Sequence, residues 1–467
     1  LGCVARLLGA RPATMGRMTN PGAAVDRSIP PRGVWWHVYP LGFLGAERFA
    51  VDLGPDPTIQ HRLPTLEQWL DYSLELGVEG WVLGPVFAST SHGYDTVDHF
   101  RVDPRLGDAD DLAELLVAAH ERGLRIVLDG VFNHVGRGFE RFGQALAEGQ
   151  GSESAGWFQL DWPDNGGEPE VRAFEGHDQL VTLNHGNPAV RDYVVSVMVH
   201  WADVGVDGWR LDAAYAAPVD FWHEVTGRVR ERHPECWLFG EVIHGDYPAV
   251  VVAAGLDSVT QYELWKAIAS SINDVNFFEL AHALGRHNGY LDTFVPVTFL
   301  GNHDTTRIAS KLSDHDFLPH ALAVLMGVGG TPVVYAGDEQ GYAGVKYERE
   351  GGDDEVRPPF PEHPREFSAL GAPTFELHQQ LIAFRRDRPW LVDARTEVTH
   401  LANATMVLVT TATTGQGRRV AVALNLSAAD CTLPLPPGDW LRHAGTGAPG
   451  PDGVTLPAKG WALLSDG

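Results

Sequence analysis

The sequence predicts an α/β fold: a (β/α)₈ TIM barrel with a loop domain inserted after its third strand and an all-β sandwich domain at the C-terminus. Three observations carry this. Eight short β-rich runs alternate with amphipathic segments between residues 34 and 388, as parallel βαβ units require. One connection, residues 135–185, is far longer than its neighbours. After residue 388 the texture changes to short alternating runs with Gly and Pro turns.

The runs are VWWHVYP (34–40), VEGWVLGPVF (78–87), RIVLDGVFNH (125–134), VDGWRLDAA (206–214), CWLFGEVI (236–243), LDSVTQYE (256–263), TFVPVTFLGNHD (293–304) and GTPVVYAGDE (330–339). Eight of them suit a closed barrel better than an open doubly wound sheet, which pattern alone leaves open. Segments 65–77 and 108–123 carry apolar residues at helical spacing and end in Gly, a helix and its stop signal. The glycines of GVGGTP (327–332) turn the chain into the eighth strand; a phosphate loop would need a following Lys-Ser/Thr. The domains expected are therefore a flexible extension (1–33), a barrel (34–134 and 186–388), an inserted loop domain (135–185) and a C-terminal β domain (389–467).

The formal net charge is −26 over 467 residues, so nucleic acid and anionic membranes are poor partners, and the acidic surface speaks mainly for solubility. No run of about 18 apolar residues marks a membrane span. Residues 1–20 are Arg-rich with no clear cleavage site, so no signal peptide is read, and Met15 or Met18 is a candidate start. Three distant cysteines, Cys3, Cys236 and Cys431, form neither a disulfide framework nor a metal knuckle. A cytoplasmic location fits.

Barrel active sites lie at the C-terminal ends of the strands. There the third run carries Asp129, Asn133 and His134, the fourth Arg210 and Asp212, the fifth Glu241, and the seventh His303 and Asp304. Singly, each has an ordinary explanation: an N-cap, a structural ion pair, a satisfied histidine. Four acids, an Arg and two His on one barrel mouth point instead to chemistry that uses an acid and an anion together. Retaining glycoside hydrolysis is such a reaction. On this reading Arg210 lowers the pKa of Asp212 and keeps it ionised, while LFGEVI offers Glu241 apolar surroundings suited to a protonated general acid. Asp304 holds sugar hydroxyls, with His134 and His303 as further donors. Tyr39 is the one aromatic of WWHVYP expected to wall the pocket.

DGVFNH (129–134), GWRLDAA (208–214), GEV (240–242) and FLGNHD (299–304) resemble, in order and spacing, the four signature stretches of the α-amylase family of glycoside hydrolases. GYDTVDHFRVDPRLGD (93–108) and TPVVYAGDEQG (331–341) resemble the family's second-strand loop and eighth strand. The resemblance implies Asp212 as nucleophile, Glu241 as acid/base and Asp304 as transition-state stabiliser. It implies a subsite completed by Tyr94, Asp129, His134, Arg210 and His303, with Arg357 of GGDDEVRPP beside it. LVTLNHGNPAVRDY (180–193) and GEVIHGD, with His244 three residues after Glu241, are closest to neopullulanases, cyclomaltodextrinases and maltogenic amylases. That implies small α-1,4-linked maltooligosaccharides, cyclic ones included, as substrates. The N-terminal β-sandwich domain of that group, which aids dimerisation, has no counterpart in the residues before the first run, so a homodimer is left open.

No cofactor is required on this reading. A structural calcium ion is left open: Asn133, Asp161 and Asp164 offer oxygens, although Asp- and Gly-rich loops usually turn without metal. Rival readings are a metal-dependent barrel hydrolase, which wants several imidazoles around one ion, and a non-catalytic amylase-like binding protein, which would be expected to lose acids that this chain keeps. A transglycosylase, phosphorylase or α-glucosidase shares the same motifs.

Overall fold

The computed structural model describes residues 31–54, 56–164, 167–349, 351–415 and 417–466. Eight parallel strands form the centre: β1 (Trp35–Val38), β2 (Gly80–Leu83), β3 (Arg125–Gly130), β4 (Gly208–Leu211), β5 (Trp237–Gly240), β6 (Ser258–Val259), β7 (Val297–Phe299) and β8 (Thr331–Tyr335). They hydrogen-bond in the order β6-β5-β4-β3-β2-β1-β8-β7, and a parallel bridge from Thr260 to Val297 joins the two ends into a cylinder. The expected barrel is the observed one, with each strand inside its sequence run.

Strand alternation sorts the side chains. Trp35, Val82, Val127, Trp237, Phe239, Val297, Phe299 and Val333 point inward and pack as one buried cluster that fills the barrel. Trp36, Trp81, Trp209 and Leu238 point outward and meet the helices. Gly208 has a steric cause: a Cβ there would stand 2.4 Å from the Trp237 carbonyl oxygen, so β4 and β5 could not approach as they do.

Helices cover the cylinder. Glu67–Leu76 follows a short 3₁₀ turn and stops at left-handed Gly77. Ala109–Glu121 starts in a reciprocal capping box, Asp108 accepting from the Asp111 amide and Asp111 from the Asp108 amide, which satisfies two otherwise orphaned donors.

Between β3 and β4 the chain leaves the barrel and builds a three-stranded antiparallel sheet from His134–Gly136, Ala173–Phe174 and His177–Thr182. Its own apolar cluster includes Phe139, Phe142, Trp157, Phe158 and Val181. After β8, five antiparallel strands (Arg395–Leu401, Thr405–Thr411, Arg419–Asn425, Trp461–Asp466, Trp440–Gly445) face a three-stranded sheet (Cys431–Leu433, Gly453–Leu456, Ala448–Gly450). Val407, Val409, Ala421, Val454 and Leu464 fill the space between them, and Met406, Leu408, Val422 and Leu463 on the opposite face join the barrel core.

Of the expected flexible extension, residues 1–30 lie outside the described residues. Residues 31–33 are held: the Pro31 carbonyl accepts from the Thr331 hydroxyl, and the Gly33 amide donates to Glu79. Among the described residues no helix is long and apolar enough to cross a membrane.

Candidate active site

Inward alternation continues past the strand ends and gathers the polar groups. Asp129 follows Val127 on the interior of β3. Arg210 and Asp212 follow Gly208, and Glu241 follows Phe239. In register, Arg210 stands beside Asp129 on one side and Phe239 on the other.

Arg210 is the hub. Its Nη1 lies 2.6 Å from Asp129 Oδ2 and 3.2 Å from Asp212 Oδ1, and its Nη2 lies 2.9 Å from Glu241 Oε1. Sharing one rigid guanidinium fork keeps the Asp212 and Glu241 carboxyl groups within about 8 Å of each other, a range that includes the separation of a retaining pair. All four side chains are buried.

Two electrostatic expectations are corrected. Arg210 does not hold Asp212 in the ordinary anionic range. Burial pushes that carboxyl well up, Glu241, Asp129 and Asp304 add to the rise, and Arg210 only opposes it. The physical reason is burial first; the one guanidinium that opposes it is shared among three carboxylates, with Asp129 closest. Nor does Glu241 lie in apolar surroundings. It meets Arg210, accepts from the Tyr262 hydroxyl at 2.8 Å, and has the Ala213 amide 3.3 Å from Oε2.

Asp304 is the firm anion. Loss of surrounding water opposes its ionisation, but His303, Arg357 and Arg210 outweigh this and hold it well below the usual range. Its Oδ2 lies 2.8 Å from His303 Nε2, and its Oδ1 accepts from Arg357 at 2.8 Å. The side chain keeps 32% of its surface open at the mouth.

Tyr94, on the hairpin after β2, bonds through its hydroxyl to Asp129 at 3.1 Å and also to His303. Tyr39 stacks on the His303 ring and carries the Arg357 guanidinium over its own ring. Burial lowers the His134 pKa to about 3, which keeps the ring neutral. Its Nε2 has no hydrogen-bond partner among the described residues, and Phe174 lies against its face. His244 is exposed at the rim, its ring 5.8 Å from that of Tyr215.

The structure adds residues that sequence reasoning missed. Tyr262 and Asn302 hydrogen-bond toward Glu241. Phe174 and Glu175 arrive from the inserted sheet, and the Tyr215 hydroxyl donates to Glu175 at 2.6 Å. Tyr262 had a readable signal: it continues the inward alternation Ser258, Thr260, Tyr262. The inserted residues had none, because their contacts join segments far apart in the chain.

The cavity beneath these groups is only about 30 Å³, so a sugar must enter from the mouth. Of the residues that could offer oxygens to calcium, Asn133 Oδ1 is buried with no partner among the described residues, and Asp161 and Asp164 are exposed. Among the described residues, the one group of three His, Asp or Glu side chains close enough to share an ion is His61, Asp108 and Asp111, none of which is among the groups gathered around Arg210.

Residues 62–359 match the family model described as alpha amylase, catalytic domain. A cyclomaltodextrinase from a Bacillus species is 35% identical over 291 residues, 59% of this chain and 51% of that one. A cyclomaltodextrinase from Geobacillus thermopakistaniensis strain MAS1 is 30% identical over 443 residues, 89% of this chain and 72% of that one. The chain thus spans from about half to under three quarters of the length of these relatives. In fold it resembles the ligand-free cyclic α-maltosyl-(1→6)-maltose hydrolase of Arthrobacter globiformis, with a TM-score of 0.77 at 24% identity, covering 93% of this chain and 99% of that one.

Proposed function

Because the chain belongs to the α-amylase family of glycoside hydrolases, we propose that it cleaves α-1,4-glucosidic bonds in small maltooligosaccharides, cyclic ones included, with retention. The observation that carries the reading is the single guanidinium of Arg210 shared by Asp212 and Glu241. Double displacement needs one proton on that pair. Burial among like charges favours keeping one. Positive charge developing at the anomeric carbon draws Asp212 to its anion and leaves the proton on Glu241.

Glu241 then gives its proton to the glycosidic oxygen as Asp212 attacks the anomeric carbon, and the carbon–oxygen bond to the leaving sugar breaks. In the second half Glu241 takes a proton from water, the water oxygen bonds to the anomeric carbon, and Asp212 is released. Asp304, held ionised by Arg357 and His303, binds sugar hydroxyls more tightly as the ring distorts. Tyr94, Asp129 and His134 frame the attacked sugar, and His244 and Tyr215 stand on the leaving-group side. The name cyclomaltodextrinase carried by the relatives supports the cyclic part of this reading. A cytoplasmic setting suits the free thiols of Cys236 and Cys431.

The test is incubation with linear and cyclic α-1,4 and α-1,6 glucans, with and without an added sugar acceptor, reading products by size. Short maltodextrin products are expected, with turnover reduced about 10⁴-fold or more in Asp212→Asn while sugar binding persists. Wild-type rates in that variant would remove Asp212 as nucleophile. Products dominated by acceptor transfer would make the enzyme a transglycosylase.

A further inference from the structure

We propose that Tyr262 is a positioning residue that pins Glu241 Oε1 and leaves Oε2 as the oxygen that passes the catalytic proton. The inference rests on Glu241 being the acid/base, as read above, and adds which oxygen acts and what selects it.

Tyr262 lies just beyond β6 with its ring packed against Phe299 and Trp265, centroids 5.0 and 5.7 Å away. A phenol has one hydrogen, and here its direction is fixed by the neighbours. The Asp304 amide donates to Asn302 Oδ1 at 3.0 Å, which turns the Asn302 amide so that Nδ2 donates to the Tyr262 oxygen at 2.9 Å. The reverse orientation would set the Asn302 NH₂ against the Asp304 N–H. With its oxygen already accepting, Tyr262 donates to Glu241 Oε1 at 2.8 Å. The relay therefore runs one way: Asp304 amide, Asn302, Tyr262, Glu241.

Oε1 also receives Arg210 Nη2 at 2.9 Å. Two donors engage its lone pairs, which makes it a poor seat for a hydrogen. Among the described residues Oε2 has only the Ala213 amide, at 3.3 Å, so the proton belongs there. The other charged or titratable groups around Glu241 are Asp212 and Tyr215 at the end of β4, Asp129 on β3, His37 on β1, and His303 and Asp304 after β7. None of them supplies a second neutral donor to Oε1. Both bonds at Oε1 hold the side chain in place through the second half-reaction, where Glu241 must be a base.

The experiment follows kcat/KM against pH for wild type, Tyr262→Phe, Asn302→Asp and Glu241→Gln. Maltotriose is the substrate that needs protonation of its leaving group, and 4-nitrophenyl α-maltoside is one that needs little. Losing the Tyr262 donor is expected to move the alkaline limb for maltotriose upward by about one pH unit and to leave the aryl glycoside within about twofold of wild type. Asn302→Asp keeps the side-chain shape but competes for the Tyr262 hydrogen, so the same direction is expected; it carries the comparison if Tyr262→Phe does not fold. An unmoved limb, or equal losses on both substrates at every pH, overturns the inference while Glu241 stands. A Glu241→Gln enzyme that hydrolyses maltotriose at the wild-type rate overturns the acid/base reading itself, and this inference with it.

Discussion

Arg357 donates through one terminal nitrogen to Asp304 Oδ1 at 2.8 Å, although 53 residues of chain separate them. Its Nε also donates to the His303 carbonyl at 2.9 Å, and Asp353 braces it at 3.1 Å. The loop after β8 thus clamps both the carboxylate and the backbone of the residue before it. A charge-assisted fork of this kind fixes direction as well as charge.

Removing the fork should cost turnover more than binding, because Asp304 acts most strongly on the distorted sugar. Arg357→Ala is expected to lower kcat about 10- to 100-fold with KM changed only a few-fold. Arg357→Lys should recover little, since a point charge cannot serve both acceptors. Steady-state kinetics on maltotriose, alongside thermal melting to show an intact fold, decide it; a KM effect alone would place Arg357 in simple ground-state binding.

The inserted sheet reaches the site through a two-residue turn. Glu175 and Gly176 both have left-handed backbone, φ 49° and 81°, the geometry of a type I′ hairpin, which Asn-Gly fits best. The turn also lays Phe174 on His134, ring centroids 4.7 Å apart and planes 15° from parallel, and places Glu175 on the Tyr215 hydroxyl. Glu175→Asn separates the two roles. It should keep or raise the melting temperature, by better turn chemistry, yet raise KM for maltotriose about 3- to 10-fold by freeing Tyr215. Tyr215→Phe should reproduce the kinetic change without touching the turn. If both variants keep wild-type KM, the hairpin contact does not shape the sugar site.

The barrel was legible because most strands are short apolar runs with a polar end, a pattern local enough to see in ten residues. The same locality exposed Asp129, Arg210, Asp212, Glu241, His303 and Asp304, all at strand ends. What stayed hidden is non-local. Arg210 and Asp212 are two apart, so the sequence invites a private pair. The fold brings Asp129 and Glu241 to the same guanidinium from neighbouring strands and divides its charge. Glu241 reads as apolar in LFGEVI because its flanking residues face outward or pack beneath it, while its partners come from β4 and from beyond β6. Phe174 sits in an insertion with no periodicity to mark it.

Glu339, in the turn after β8, illustrates a buried acid with a consequence for stability. It accepts from the Tyr72 hydroxyl at 2.8 Å, the Gly337 amide at 2.9 Å and the Trp36 indole at 3.3 Å. Burial nevertheless pushes its pKa from 4.5 up to about 7, the hydrogen bonds only opposing the rise. In the unfolded chain it titrates near the ordinary value. Between the two values the folded state binds more protons than the unfolded one, so this group's contribution is fully present below about pH 4.5 and is lost as pH rises through about 7. Neighbouring Asp338, raised to about 6 by burial against the pull of Arg307, acts in the same direction. Glu339→Gln removes one titration and leaves Asp338 in both proteins, so the difference between wild type and variant isolates Glu339. Urea denaturation at about pH 4 and pH 8 should show that difference moving in favour of Gln by on the order of 3 kcal/mol. A gap that stays constant across that range would mean that Glu339 ionises in the fold as easily as in the unfolded chain.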